Sequence, residues 1–546
     1  MKLIFRYLGR YKKGVSLAII IKLLATLMEL TIPYILEHII DNVVPAGRLW
    51  PVLLWGLLMF VAAILTRTIN IKANDTAIGN AHKVSFDVRQ DLFRKTVNLS
   101  GSQFDVFGLP SLISRMTSDS YNVQSAAQML QTMCVRAPIL LIGGMIVSMT
   151  MDVQLAMIMV VMLPLLLAII LFVSAKGMPM FVTVQEKLDS VIRIMRENIT
   201  GIRVVKALSK ADYEKRRFAV SNEEMAKRDI AASTVMAIPG PFMQLCLNTG
   251  LALAVIVGAG RVNAGLMKPG VILAFLTYFN MITMGVMGIS RIFMMLSRAG
   301  ASADRIDAVI QTPTGQTVLS EEEAQKPAGD EFIRFEHVDF SYGEGGADRN
   351  GFAGEEREKA LSDISFAIKK GESLGIIGPT GCGKTTIINL LMRFYDASSG
   401  GVFVDGRDVR SYDKDELRRK FGAAFQNDMV FQDTLRENVI FGRDVSEAQL
   451  RLAIEDAQAA EFVDALEGGI DYEAAIKGAN LSGGQKQRLL VARALAAGPE
   501  ILVLDDASSA LDYKTDASMR KAIAQNHTDS TVIMIAQRVS SVMNMT

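Results

Sequence analysis

Six apolar stretches lie before about residue 295 of this 546-residue chain, and they restrict its fold more than any other feature. They are Val15–Leu36, Pro51–Thr66, Ala137–Met151, Val153–Val173, Phe242–Gly260 and Gly270–Ser290. About 20 apolar residues cross the hydrocarbon of a bilayer as a helix. In lipid the backbone has no outside hydrogen-bond partner, so helices are the expected form. The third stretch is short and is expected to borrow residues from Leu130–Arg136. A tight hairpin at Met151–Asp152 separates it from the fourth. Pro164, in the middle of the fourth, is tolerable where neighbouring helices satisfy the freed carbonyl.

Composition agrees with a chain in two parts. Half of the residues are hydrophobic (50%), yet 21% are charged. The net charge is +1, without the basic footprint of a nucleic-acid partner. Cys134, Cys246 and Cys382 are scattered, so neither a disulfide framework nor a metal spacing is expected. Met1–Lys13 carries five basic residues and precedes a long apolar run with no small-residue cleavage site. This reads as a retained membrane helix and not as a removed signal peptide.

Lysine and arginine set the orientation. The N-terminal segment has five, and Lys176–Arg228 has twelve. The opposite loops have Arg48, then none, then Arg261 and Lys268. The N-terminus and the two long loops are therefore expected in the cytoplasm, and six spans return the chain there. Residues 72–130 and 175–235 mix apolar and charged positions at helical spacing, so the membrane helices are expected to extend beyond the bilayer. Polar breaks are expected at Ser100–Pro110 and Leu208–Arg217. This gives a membrane domain over 1–310, a Pro/Gly-containing acidic linker over 311–330, and a second domain over 331–546. There Phe332–Phe340 alternates as a strand does, and short apolar runs alternate with helical patterns, as in an α/β domain. Gly343–Lys359 has no periodicity and reads as a surface loop.

The chemistry sits in that second half. The apolar run Ser373–Ile377 leads into GPTGCGKT, Gly378 to Thr385, and then into a helical run, Thr386–Tyr395. This is a phosphate-binding loop in its strand–loop–helix setting. Glycines such as Gly378, Gly381 and Gly383 let backbone N–H groups surround phosphate oxygens at a helix N-terminus. Lys384 is placed for the β- and γ-phosphates, and the Thr385 hydroxyl for Mg²⁺. Cys382 reads as a tolerated small residue, with a sensitive point for alkylation beside the phosphates as the alternative. A second apolar run, Ile501–Leu504, ends in Asp505-Asp506. Asp505 is suited to Mg²⁺, directly or through water, and Asp506 to orienting or deprotonating an attacking water.

Leu481-Ser-Gly-Gly-Gln485, followed by Lys-Gln-Arg and a helical run over Leu489–Ala497, brings in a family. Here the chain resembles ATP-binding cassette (ABC) exporter half-transporters, over nearly its whole length. The resemblance implies a polytopic helical membrane domain of six transmembrane helices, followed by an α/β nucleotide-binding domain that takes ATP and Mg²⁺. Tyr342 matches the aromatic that stacks on adenine. Thr386 belongs to the phosphate loop, and Gln426 matches the glutamine linking Mg²⁺ and water to the membrane domain. Ser482, Gly483, Gly484 and Gln485 match the signature that completes the partner chain's ATP site. The breaks near 100–110 and 208–217 match coupling helices, and Met1–Arg10 matches an amphipathic elbow helix. A second half-transporter is thus an implied partner, along with the lipid bilayer of the plasma or inner membrane.

Three positions depart from the family pattern. The residue after the Mg²⁺ aspartate is Asp506 where the family has Glu. The switch position is Gln537 where it has His. Ile476-Lys477 precedes the signature where Glu-Arg is usual. Asp is one methylene shorter than Glu, and a misplacement of about 1 Å can cost on the order of 10²-fold in rate. Gln cannot carry charge or move a proton as His does. The combination resembles the degenerate-site subunit of a heterodimeric exporter of amphipathic or hydrophobic compounds. A self-sufficient homodimer with a slow ATPase and an ATP-gated membrane regulator or channel are the alternatives. The family continues beyond the switch residue, so an incomplete C-terminus is expected at Thr546. Lys22 and Glu29, seven residues apart, share a helix face. Met281, Met284 and Met287 form a stripe on the sixth span. These residues either line an adaptable cavity or serve helix packing.

Overall fold

Apolar sequence without outside hydrogen-bond partners closes its backbone bonds locally, and each of the six apolar stretches is helical. The computed structural model describes all residues except 314–315, 321, 330, 344–358, 427, 544 and 546. The side chains of Ile170, Leu171, Ser174, Met178, Ser290 and Ser540 are also outside the description. The expected loop Gly343–Lys359 falls almost entirely outside the described residues. The chain forms two compact units, one of Met1–Phe93 and Ile113–Gln311, the other of Arg94–Leu112 and Thr312–Thr546.

The helices of the first half are α1 (Lys2–Arg10), α2 (Lys12–His38), α3 (Leu49–Val97), α4 (Gly101–Phe107), α5 (Leu109–Ser114), α6 (Ser120–Gln131), α7 (Met133–Met151), α8 (Val153–Thr200), α9 (Ile202–Ala207), α10 (Ala211–Ala237), α11 (Pro239–Asn263) and α12 (Pro269–Ile310). Among the described residues, five helical stretches are long and apolar enough to cross a membrane, and Val153–Ile169 adds a shorter one. The third span starts at Met133, as the borrowing from its upstream residues requires. Asp152 forms the hairpin to α8 by accepting the N–H groups of Gln154 and Leu155. Helix α8 runs unbroken through Pro164 and Pro179. Helix α1 buries Leu3, Ile4, Tyr7 and Leu8 along one face, the pattern of an amphipathic helix.

Small residues bring α7 and α12 together. A Cβ on Gly285 would lie 3.1 Å from the Ala137 carbonyl, and one on Gly144 2.8 Å from Ile282. Close backbone approach of this kind replaces the hydrophobic drive that lipid removes. Polar side chains are matched across helices. Lys22 is only 4% exposed, and its Nζ donates to Asn70 Oδ1 at 2.6 Å and Asn74 Oδ1 at 3.0 Å. Arg136 forks onto Glu29, with Nη2–Oε1 at 2.7 Å and Nε–Oε2 at 3.2 Å. Lys22 and Glu29 thus share a face of α2 but take partners on different helices. The methionine stripe divides: Met281 packs against the core around Tyr278 and Phe279, while Met284 and Met287 are exposed.

The first break, after α3, holds α4, whose N-terminus Ser100 caps with a capping box to Gln103. The second break is shifted from Leu208–Arg217. Its short helix is α9, ahead of Leu208, and residues 211–217 already belong to α10. Gly201 ends α8, and Ser209 turns the chain with φ 52. Asp212 and Glu214 then sit in the first turn of α10, where carboxylates favour a helix N-terminus.

The second half runs β1 (Ile333–Phe340), β2 (Leu361–Ile368), β3 (Ser373–Ile377), α13 (Lys384–Leu391), β4 (Ser399–Val404), β5 (Arg407–Asp408), α14 (Lys414–Arg419), β6 (Phe421–Ala424), α15 (Leu435–Ile440), α16 (Glu447–Asp456), α17 (Ala460–Ala465), α18 (Gly483–Leu495), β7 (Ile501–Asp505), α19 (Tyr513–Asn526), β8 (Thr531–Ala536) and α20 (Val539–Val542). One sheet is antiparallel, in the order β2-β1-β4-β5. The other is parallel, in the order β3-β8-β7-β6. Every residue of β7 and β8 is buried, as a parallel sheet covered on both faces demands.

Candidate functional site

Parallel strands place all their carboxyl ends along one edge, and that edge is where open α/β sheets take ligands. Here β3 ends in the glycine-rich loop, β7 in Asp505-Asp506, and β8 in the residues before Gln537. Gln426 lies two residues past β6. Segments far apart in the chain therefore converge because of strand order alone.

The loop is shaped by its glycines. Gly381 and Gly383 have φ of 87° and 92°, a region that side chains with a Cβ rarely enter. A Cβ on Gly383 would also sit 2.6 Å from the Ala360 carbonyl. Gly383 is the N-cap of α13 and leaves the helix's first N–H groups pointing into the loop. Lys384 Nζ donates to the carbonyls of Gly378 and Pro379, each at 2.8 Å, and lies 3.9 Å from Cys382 Sγ. The Thr385 hydroxyl donates to Asp505 Oδ2 at 2.8 Å. These two oxygens are hard ligands of the kind Mg²⁺ takes, usually only one or two from protein with the rest from water and phosphate. The donor set fits the ion: Thr385 and Asp505 would hold it, and it would supply positive charge to the phosphates. Burial and the neighbouring Asp506 raise the Asp505 carboxyl above its ordinary pKa, against the Thr385 hydrogen bond that lowers it. A bound cation would offset that cost.

Asp506 adopts φ 51°, and its own N–H donates to the Ile535 carbonyl at 2.9 Å. One oxygen, Oδ2, accepts from two side-chain amides: Gln537 Nε2 at 2.9 Å and Gln426 Nε2 at 3.1 Å. Both donors are neutral. Tyr342 is held over the loop by a hydrogen bond between its hydroxyl and Thr386 Oγ1 at 3.0 Å, and Asn389 Nδ2 donates to it at 3.3 Å. Its ring meets Phe340 and Tyr395 edge-on, with centroids 4.8 and 5.2 Å away. Asn389 and Tyr395 were not singled out from the sequence. The available signal was spacing, because Thr386 and Asn389 are three residues apart on one face of α13.

Tyr342, Gly381, Gly383, Lys384, Thr385, Thr386, Gln426, Asp505, Asp506 and Gln537 line one cavity of about 390 Å³. The signature residues do not line it. Ser482 instead caps α18, its Oγ accepting Gln485 N–H at 3.3 Å while Gln485 Oε1 accepts Ser482 N–H at 2.8 Å. The helix thus starts six residues ahead of the expected Leu489–Ala497. Ser482 and Gly483 are exposed; the Ser482 N–H is held by Gln485, while Gly483 is the first residue of α18, where a backbone N–H has no partner within the helix. Gln487 ties this helix to the segment after β7 through Ser509 Oγ at 2.7 Å and Ala510 N–H at 2.7 Å.

Comparison with known proteins identifies relatives of the whole chain. Residues 15–286 match the ABC transporter transmembrane region, and 361–509 match the ABC transporter family. The uncharacterized ABC transporter ATP-binding protein YfiB of Bacillus subtilis is 32% identical over 541 residues, covering 98% of this chain and 91% of the relative. The ATP-dependent lipid A-core flippase of Desulfotalea psychrophila is 32% identical over 459 residues, 84% of this chain and 78% of the flippase. The solved structure of a bacterial Atm1-family ABC exporter with ATP bound shares the fold, with a TM-score of 0.78 at 21% identity over 98% of this chain and 92% of that one.

Proposed function

The chain belongs to the ABC transporters, as a half-transporter whose membrane domain is fused to its ATP-binding domain, and from that premise we propose that it is the poorly hydrolysing subunit of a heterodimeric exporter. ABC exporters work as dimers in the bilayer and are driven by ATP. In this reading the chain binds ATP and Mg²⁺ through Tyr342, the loop Gly378–Thr386 and Asp505. It lends Ser482–Gln485 to a competent site on a different partner chain.

The observation that carries the reading is the state of Asp506. Its carboxylate is one methylene shorter than Glu, and one oxygen is engaged by two amides. The oxygen those amides occupy is less free to take a hydrogen bond from an attacking water, and neither amide can relay a proton. Neither change falls within the phosphate loop Gly378–Thr386. The exposed Met284 and Met287 support an amphipathic or hydrophobic cargo, since methionine adapts to irregular apolar shapes. The lipid named for one relative belongs to the same class. The N-terminus and the ATP-binding domain face the cytoplasm across the plasma or inner membrane.

The test is single-turnover hydrolysis by the assembled heterodimer. Asp506→Asn should lower turnover only modestly. Glu→Gln at the partner's catalytic position should nearly eliminate it, because general-base assistance is worth roughly 10²–10⁴-fold. Ser482→Arg should also abolish most turnover, by blocking closure on the partner's ATP. Loss of nearly all activity with Asp506→Asn, in a chain that works without a different partner, would establish the homodimer instead.

A further inference from the structure

Helix α13 follows the phosphate loop, and its start and its end serve different neighbours. Near its start, Thr386 and Asn389 hold the Tyr342 hydroxyl at 3.0 and 3.3 Å. Past its end stand Phe394 and Tyr395, and both reach α4, the short helix of the first break. The segment Arg94–Leu112 that carries α4 lies in the same compact unit as the ATP-binding domain. The Phe394 carbonyl accepts the N–H of Gly101 at 3.1 Å. The Tyr395 hydroxyl donates to Asp105 Oδ2 at 2.7 Å, one turn further along α4. Gly101 also rests on the Tyr395 ring, for a Cβ there would lie 2.7 Å from the ring carbon Cζ and 2.8 Å from the Phe394 carbonyl. Burial and the Asp105 carboxylate raise the pKa of the Tyr395 hydroxyl, so it stays a donor at neutral pH.

The ring that grips α4 also meets Tyr342. The two rings stand edge-on, with centroids 5.2 Å apart and planes at 85°. Phe340 closes the set, 5.7 Å from Tyr395 and 4.8 Å from Tyr342. Of these three rings only Tyr342 lines the nucleotide cavity. The Tyr395 ring therefore meets whatever fills that cavity by way of Tyr342. Edge-to-face contacts are directional, so fixing the Tyr342 ring restricts the orientation of Tyr395. The phosphate-binding side chains take another direction. Lys384 bonds to the Gly378 and Pro379 carbonyls and Thr385 to Asp505, and among the described residues neither bonds to Tyr395 or to α4.

We propose that Tyr395 is a positioning residue that reports the base of the bound nucleotide, and not its phosphates, to α4. The proposal rests on the reading of Tyr342 as the aromatic that stacks on adenine. A base on Tyr342 fixes that ring, the fixed ring orders Tyr395, and an ordered Tyr395 holds Gly101 and Asp105 more firmly. Ordering of this kind links two sites without a change of shape. Three residues separate α4 from the end of α3, so the report passes by covalent connection to a helix that carries a membrane span.

The assembled transporter in nanodiscs tests this with two probes, ADP and inorganic tripolyphosphate. ADP brings the base without the γ-phosphate, and tripolyphosphate brings three phosphates without the base. Hydrogen exchange at the Gly101–Gly108 amides should gain roughly fivefold in protection with saturating ADP, the low end of the usual coupling between sites. Tripolyphosphate, at a concentration that displaces labelled nucleotide, should leave it unchanged. Coupling is reciprocal. Asp105→Ala should therefore lose the response, weaken ADP binding by up to the same factor, and leave tripolyphosphate binding alone. Tyr395→Phe keeps the ring and loses the hydroxyl, so it should act alike, and the double variant should be no worse than either single one. Asp105→Asn keeps an oxygen acceptor and should restore both the response and the affinity. An equal response to tripolyphosphate, or a full response to ADP in Asp105→Ala, overturns the proposal. If Tyr342→Ala leaves ADP affinity unchanged, the reading of Tyr342 falls and the proposal falls with it. If Tyr342→Ala weakens ADP binding while α4 of the wild type gives no response, the proposal alone is overturned.

Discussion

Lys22 lies in an apolar helix and Lys384 in a glycine-rich loop, and each ammonium group is bonded to two neutral oxygens. The kinds of oxygen differ. Lys22 uses Asn70 and Asn74, side chains on a neighbouring helix whose amides are available nowhere better in an apolar setting. Lys384 uses two carbonyls of its own loop, which it can exchange for phosphate at little structural cost. Lys22 is almost fully buried. Lys384 opens onto a cavity. The same group is structural where its partners are fixed and enclosed, and a ligand-binding group where they are local and replaceable.

The largest effect expected from this contrast is at Lys384. Lys384→Ala should weaken ATP binding at this site by on the order of 10²-fold, because charge-assisted hydrogen bonds are worth about 1.5–3 kcal/mol each. Its effect on thermal stability without nucleotide should be slight. Labelled-nucleotide titration and a melting curve on the same preparation check both halves. Unchanged binding would end the assignment of the loop.

Lys22→Met is expected to act in the opposite way. It should leave nucleotide affinity alone and destabilise the membrane unit by about 1–3 kcal/mol, since two amide oxygens lose their donor. Adding Asn70→Leu and Asn74→Leu should restore most of that loss, as apolar replacement of a buried polar set often does. Denaturation in detergent measures it. A triple variant that is stable yet has lost transport would break the comparison and make Lys22 functional.

The smallest change separates the two functions of Tyr342. Tyr342→Ala should weaken nucleotide binding by about tenfold, at the low end of the roughly 1–3 kcal/mol that base stacking is worth. Tyr342→Phe keeps the ring and loses only the hydroxyl's bonds to Thr386 and Asn389, so its effect should be smaller still. Equal losses for the two variants would show that the hydroxyl, and not the ring, matters.

Local features of this protein were legible from its sequence. Span length sets a helix because the backbone in lipid must bond to itself, and the six apolar stretches are helical. The phosphate loop is contiguous, so its glycines, Lys384 and Thr385 could be read with their roles. Ser482 and Gln485 stand three residues apart, the spacing of a capping box, although the helix they start was read as beginning later. The second cytoplasmic break was misplaced because Gly201 and Ser209, and not the most polar residues, end the helices.

Pairings between distant residues were decided by the tertiary structure alone. Lys22 and Glu29 are seven residues apart on one helix face, yet one meets α3 and the other α7, because the helices packed on that face change along its length. Asp506 follows Asp505 at the end of an apolar run, and only the order of parallel strands brings Gln426 and Gln537 onto one of its oxygens. Asp105 and Tyr395 are 290 residues apart, and nothing in the periodicity of either segment specifies the other. Periodicity and spacing record what a segment does with its own neighbours. Contacts across the chain depend on which surfaces pack, and that is fixed by the shapes and the unmet hydrogen bonds of all the elements together.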